Sequence, residues 1–155
     1  MAEVSAAMAR QYEAGDRDAC LAVFDSNVPR YFRTAERADF VAFLDALPGP
    51  YLVLEDERRI VACGGYALRE GAGIADLCWG MVARDRHRSG LGRELTRARM
   101  DAARRHPGVR ELALETSQLT TAFYERPGFE IVDVTPDGYA EGLDRCTMRL
   151  RLGEP

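Results

Sequence analysis

The chain reads as a mixed α/β domain, and three observations carry that reading. Apolar runs of strand length alternate with segments of helical periodicity in the order β-α-α-β-β-β-α-β-α-β-β. A turn carrying two glycines, Gly90 and Gly92, joins an apolar strand to a long amphipathic helix, the junction typical of α/β architectures. No internal repeat, low-complexity tract or linker interrupts the pattern, so the 155 residues, 46% of them hydrophobic, are expected to form one domain over residues 1–155.

The elements follow in order. Residues 8–12 are expected as a short first strand. Asp16 has the side chain of a helix N-cap, and Cys20, Leu21 and Phe24 behind it share one helical face. Residues 26–33 break the pattern. A second helix places Phe40, Val41, Phe43, Leu44 and Leu47 on one side and stops at Pro48-Gly49-Pro50. Residues 51–55 and 60–68 read as a hairpin joined through the charged turn Asp56-Glu57-Arg58-Arg59, and residues 74–82 read as a buried strand. Leu91, Leu95, Ala98 and Ala102 recur at helical spacing, and Leu112-Ala113-Leu114 is a strand core. On a helix over residues 117–124, Leu119, Ala122 and Phe123 fall on a packing face, with Ser117, Thr120 and Tyr124 on a polar stripe opposite. Pro127-Gly128 ends that helix, residues 129–134 resume as strand, and a loop carrying Pro136, Asp137, Gly138 and Gly142 leads to a final strand. There Met148, Leu150 and Leu152 alternate with Thr147, Arg149 and Arg151.

Composition narrows the function classes. A net charge of −4 argues against a nucleic-acid partner, which needs a basic surface. No stretch approaches the roughly 18 apolar residues of a membrane span. Glu3, Arg10 and Glu13 interrupt any secretory apolar region, so a cytoplasmic location is expected. Cys20, Cys63, Cys78 and Cys146 are far apart, form no C-x-x-C pair and sit in apolar settings, so they read as reduced core thiols, with no metal expected.

The segment Arg86-His87-Arg88-Ser89-Gly90-Leu91-Gly92 has the construction of an anion site. A helix N-terminus leaves its first four N–H groups free and carries roughly half a positive charge, and glycine lets a phosphate come close to the backbone. A P-loop would need Gly-Lys-Ser/Thr, but Gly92 is followed by Arg93-Glu94. A dinucleotide fingerprint would need a third small residue where this chain has Leu95. What remains is a loop for the diphosphate of an acyl-CoA.

The segment resembles motif A of the GNAT (GCN5-related) N-acetyltransferases, Gln/Arg-x-x-Gly-x-Gly/Ala after a strand, with His87 in place of Gln or Arg. The run from Ser117 to Phe129 is similar to motif B of the same family, Asn-x-x-Ala-x-x-Phe/Leu-Tyr-Glu-x-x-Gly-Phe. Tyr124, Glu125, Gly128 and Phe129 match it, while Ser117 stands for Asn and Thr120 for Ala.

The resemblance implies an α+β fold in which a mostly antiparallel central sheet, flanked by helices, splays between the strands before the two motifs and takes acetyl-CoA into the V. It implies pantetheine pairing at Met81, Val82 and Ala83, and pyrophosphate held by the backbone of His87, Arg88, Ser89, Gly90, Leu91 and Gly92. At least one of Arg86, Arg88 and Arg93 would touch a CoA phosphate. Ser117 and Tyr124 would complete the cofactor site, with Tyr124 as the general acid that protonates the leaving thiolate. The acceptor is then an amine of a small molecule or peptide. The resemblance puts its pocket at residues 27–33 and 136–144, with Arg30, Tyr31 and Tyr139 as candidate contacts and Asp144 beside them. Asp76, Glu115 and Glu55 are candidate bases, and Trp79 is either core or a stacking aromatic. A non-catalytic acyl-CoA-binding domain is the alternative, and a homodimer is left open.

Overall fold

The computed structural model describes residues 7–153. Seven strands form one sheet in the order β1-β2-β3-β4-β5-β7-β6. They are β1 (Met8–Gln11), β2 (Tyr51–Asp56), β3 (Arg59–Arg69), β4 (Ile74–Val82), β5 (Glu111–Thr116), β6 (Glu130–Ala140) and β7 (Leu143–Arg151). The helices are α1 (Arg17–Ser26), α2 (Arg37–Asp45), α3 (Leu91–Arg104) and α4 (Thr121–Glu125). Every neighbouring pair of strands is antiparallel except β4 and β5. A parallel pair needs a crossover, and α3 provides it.

Strand alternation sorts the core into two faces. Tyr51 and Val53 of β2 pack with Cys20 and Phe24 of α1 and Phe40 and Leu44 of α2. Leu54 and Val61 point the other way, against Leu91 and Leu95 of α3. That second face continues through Met100, Leu112, Leu114, Phe129 and Met148. α1 and α2 therefore cover one side and α3 the other.

Two irregularities shape the sheet where the site will lie. β4 and β5 pair only over Ile74–Glu111, Ala75–Leu112 and Asp76–Ala113, although β4 runs on to Val82 and β5 to Thr116. Past Asp76 the two strands part. In the β3–β4 ladder Cys63 faces Met81 and Gly65 faces Cys78, so Gly64 alone opposes both Trp79 and Gly80. This is a β-bulge on β4. Trp79 sits at a φ of +46°, and its carbonyl accepts the Tyr51 hydroxyl at 2.8 Å.

Several sequence expectations need correction. Asp16 holds the N-cap position of α1, as expected, but its side chain makes no capping bond to the helix. It ends a 3-10 turn, where its carboxylate accepts the Glu13 N–H at 2.8 Å and the guanidinium of Arg10 at 2.8 and 2.9 Å. The helix expected over residues 117–124 starts only at Thr121, which leaves Ser117, buried, and Leu119, 40% exposed, in the turn before it; within the helix Ala122 is exposed, while Phe123 and Tyr124 are both half-buried. On α3 the buried stripe is Leu91, Leu95, Thr96, Arg99, Met100 and Ala103, with Ala98 and Ala102 only half-buried. Most of the expected loop at 136–144 is strand instead, because β6 absorbs Pro136 to Gly138 in an irregular stretch with Asp137 at a φ of +53°.

Candidate active site

A cavity of about 1430 Å³ occupies the gap between β4 and β5 and reaches both faces of the sheet. On the α3 side it is lined by the turn before α3, by α3 itself and by Tyr124. On the α1/α2 side it is lined by Tyr31, Phe32, Trp79, Asp76, Glu115 and Tyr139.

The first mouth is built for an anion. α3 begins at Gly90, at a φ of +89°, with no side-chain cap on the helix N-terminus. Among the described residues, the backbone N–H groups of residues 88–93 have no acceptor in the protein. Arg88 is also left-handed, at a φ of +67°. A Cβ at Gly92 would lie 3.1 Å from the Phe123 ring, so this glycine lets α3 close against α4. The Nε2–H of His87 donates to the Val82 carbonyl at 2.9 Å; since a carbonyl only accepts, that contact fixes the proton on Nε2. Asn27 Nδ2 donates to the same carbonyl, also at 2.9 Å, so the turn is tied to the end of β4 from two sides. Arg88, Arg93, Arg97, Arg104 and Arg126 line this mouth, with no carboxylate partner among the described residues. Arg86 is instead paired with Asp56 at 2.8 Å.

Of the three residues at the end of β4 expected beside the pantetheine arm, Met81, Val82 and, just past the strand, Ala83, the first two line the cavity. Ala83 does not: it is buried, and its N–H donates to Val61 at 2.8 Å. Ser117 is a lining residue whose Oγ accepts the Leu119 N–H at 3.3 Å.

Tyr124 stands at the narrowing of the V. Its ring packs edge-on to Phe123 and Phe129, at 5.0 and 6.0 Å, which leaves the hydroxyl toward the cavity. Facing that hydroxyl at 3.5 Å is Nη2 of Arg99, a residue only 1% exposed. Cys78 also lines the gap, and burial pushes its thiol up to about 11, which keeps it protonated and weakly nucleophilic at neutral pH.

The second mouth brings some acceptor candidates together and disperses others. Tyr31 and Phe32 both line it and both pack: Tyr31 lies edge-on to His87 at 5.1 Å and under Arg84 at 5.0 Å, while Phe32 stacks on Phe24 at 4.9 Å. Trp79 is at once cavity wall and part of an aromatic cluster with Phe24, Phe32, Phe40 and Phe43. Arg30 is exposed over the Tyr31 ring and does not line the cavity. Asp76 is clamped by Arg69 through two bonds of 2.7 Å, whereas Glu115 meets Arg145 through one contact of 3.4 Å. Burial and the nearby Glu115 carboxylate raise the Tyr139 phenol. Glu55 lies away from this cavity, paired with Arg10, and Asp144 accepts the Asp137 N–H. Sequence reasoning missed Glu36, which lines the mouth, and Arg33, whose guanidinium donates to the Glu141 carbonyl at 2.9 Å and bridges the two acceptor loops.

Comparison with known proteins places the fold in a family. The acetyltransferase (GNAT) domain family matches residues 44–152. A search of curated proteins gave no match. Among solved structures, a protein of the GNAT family from Desulfovibrio desulfuricans superposes with a TM-score of 0.82 at 26% identity, over 96% of this chain and 100% of its own. The ribosomal-protein-S18-alanine N-acetyltransferase of Escherichia coli gives 0.79 at 21% identity over 96% of each chain. A Salmonella typhimurium protein with its cofactor acetyl-CoA gives 0.75 at 21% identity, over 97% of this chain and 96% of its own. With the matched segment covering both strands of the V, the turn before α3 and Tyr124, the chain belongs to the GNAT acetyltransferase family.

Proposed function

We propose that the protein is an acetyl-CoA-dependent N-acetyltransferase that passes an acetyl group directly to a primary amine of a small molecule or peptide. One observation carries the reading: a single cleft crosses the sheet, with an anion-collecting turn at one mouth, carboxylates and aromatic rings at the other, and the Tyr124 hydroxyl between them. Its 1430 Å³ exceeds the roughly 300–1,000 Å³ of common small-molecule sites, as room for two substrates requires.

Acetyl-CoA would supply the activated acetyl group. The unpaired N–H groups of residues 88–92 suit its diphosphate, and the free arginines around them suit its further negative charge. Met81 and Val82 offer the open edge of β4 beyond Asp76. A phenol within reach of the sulfur can give its proton to a departing thiolate while remaining neutral beforehand at physiological pH. On the acceptor side the amine must arrive neutral or lose a proton there. Of the carboxylates at the acceptor mouth, Glu115 is the least engaged, with one 3.4 Å contact against the two bonds of Asp76 and the 2.7 Å bond that Glu36 accepts from the Arg33 N–H, and we assign it to draw that proton, directly or through water. Asp76, Glu115 and Glu36 favour a cationic amine, and Tyr31, Phe32 and Trp79 favour an apolar group beside it. The four cysteines are free thiols, which suits the cytoplasmic setting we assign to the protein.

The reading is tested by calorimetry with acetyl-CoA and by thiol release on a panel of amines. Tyr124→Phe should keep the acetyl-CoA affinity within a few-fold and lower kcat by roughly 10²-fold. Binding without thiol release for any amine would favour a non-catalytic acyl-CoA-binding domain. Undiminished turnover in Tyr124→Phe would remove the tyrosine from the mechanism.

A further inference from the structure

Arg99 is the most buried charged side chain described, and nothing explains it as packing. It lies on the third turn of α3, 1% exposed, in a position where a long cationic side chain is costly unless paired. Among the described residues no carboxylate pairs with it, and its Nε has no hydrogen-bond partner. Its one described hydrogen bond is from Nη2 to the Tyr124 hydroxyl at 3.5 Å, the outer limit for such a contact. The sheet makes room for it. A Cβ on Gly80 would lie 2.6 Å from Nη2, too close to be accommodated, and one on Gly64 would crowd Cζ at 3.2 Å, so the two glycines at the β4 bulge leave the space that the guanidinium fills. The side chain lines the cleft at the point where the strands part. A folded chain that shapes two strands around an unpaired buried cation has placed that charge facing the cleft, where negative charge can meet it.

The geometry points to Arg99 as a positioning residue for acetyl transfer, acting through Tyr124. The inference rests on the proposed general-acid role of that tyrosine. In the transfer, the amine nitrogen forms a bond to the acetyl carbon as the carbon–sulfur bond breaks. The sulfur takes the Tyr124 proton, and the phenolate is reprotonated by the proton the nitrogen loses on becoming an amide, Glu115 having taken only the one that made the amine neutral, so the products are amide and free thiol. Negative charge exists on sulfur and then on Tyr124 Oη only during that exchange. A fixed cation beside Oη stabilises it with no reorganisation, and a water-poor setting strengthens the effect. Apo contacts of this kind are often long and shorten in the reacting complex.

The test compares Arg99→Met, Arg99→Gln, Arg99→Lys, Tyr124→Phe and the Arg99→Met/Tyr124→Phe pair in the full chain. Met fills similar space without charge, and removing an unpaired buried cation should leave the melting temperature unchanged or raise it. Arg99→Met and Arg99→Gln should each lower kcat at least about tenfold, with the acetyl-CoA dissociation constant within about threefold of the parent. Arg99→Lys should recover part of the loss. The double variant should be no slower than Tyr124→Phe, because both changes remove one device. A readout without turnover is the preference for CoA over desulfo-CoA at fixed pH, which should fall several-fold in Arg99→Met. If Arg99→Met fails to fold, Arg99→Gln decides on the same criteria. Parent-like kcat in either neutral variant, a Lys variant no faster than Gln, or multiplicative losses in the double variant would overturn the inference. If Tyr124→Phe turns over normally, the general-acid reading fails and takes this inference with it. If Tyr124→Phe is impaired and the Arg99 variants are not, only the role of Arg99 falls.

Discussion

Single residues in the turn before α3 divide the work of holding an anion. Gly90 supplies a left-handed backbone at a φ of +89°, and a Cβ there would meet open space, so its cost to a side chain is conformational and its benefit is an uncovered approach to the backbone. His87 acts from the other side, with Nε2–H on the Val82 carbonyl, where Asn27 already provides a second anchor. Gly90→Val should therefore raise the acetyl-CoA dissociation constant by at least tenfold, about 1.4 kcal/mol, because a β-branched residue resists positive φ and shields the N–H groups. His87→Ala should raise it only a few-fold, since Asn27 keeps the strand end in place. Calorimetry on folded variants separates the two, and equal losses would mean that the histidine ring, not the main chain, grips the ligand. The family's usual Gln or Arg at this position is matched here by a ring that braces the turn from behind.

Elements are held in register around the cleft by contacts that local patterns do not announce. Gln118, just before α4, donates from Nε2 to the Gly142 carbonyl at 2.8 Å and accepts the Asp144 N–H at Oε1, also at 2.8 Å. One side chain thus clamps the β6–β7 turn, itself bridged to the α1–α2 loop by Arg33. Gln118→Ala should cost about 1 kcal/mol, or roughly 3 °C at this chain length. It should raise the amine KM several-fold and leave acetyl-CoA binding alone. A melting shift with unchanged amine KM would limit the clamp to stability. These contacts mark what was legible in the sequence. Strand and helix order, the Gly90 turn and the Tyr124 helix were readable because each depends on apolar spacing or a turn residue within a few positions. Arg99 was not, because helical periodicity assigns an arginine to solvent and the glycines that admit it, Gly64 and Gly80, lie on other strands. Asp16 was legible as the N-cap of α1 by position, but not its bonding, because its carboxylate is taken by Arg10 across the β1–α1 connection. Ser117 and Leu119 depart from their expected faces for a similar reason: Thr120 and Ser117 close a turn before the helix begins, so the helical phase does not reach back to them.

On the scale of the molecule, charge is segregated across the sheet. The chain carries a net −4, yet Arg88, Arg93, Arg97, Arg104 and Arg126, with no carboxylate partner among the described residues, gather around the α3 mouth and outnumber Asp101, the carboxylate of α3 that also lines it. The arginines of the opposite mouth are engaged: Arg69 with Asp76 and Arg145 with Glu115. On a chain of net negative charge, five clustered arginines give a polyanion a local attraction at that mouth, so they should steer as well as bind. Fields of this kind act over about 8 Å at physiological ionic strength and collapse as salt is added. The association rate of acetyl-CoA, measured by stopped flow, should therefore fall steeply as ionic strength rises from 0.01 to 0.5 M, about a Debye length of 30 Å shrinking several-fold. A cationic amine entering the Asp76–Glu115 mouth should show a weaker dependence, because both carboxylates are partly neutralised by their arginines. Arg88→Glu with Arg126→Glu should flatten the acetyl-CoA dependence and lower the rate at low salt by roughly tenfold. The melting temperature should hardly move, since neither arginine has a partner among the described residues to lose. A salt dependence that survives the double reversal would mean that affinity for acetyl-CoA comes from the backbone turn alone, leaving the five arginines as solvated surface.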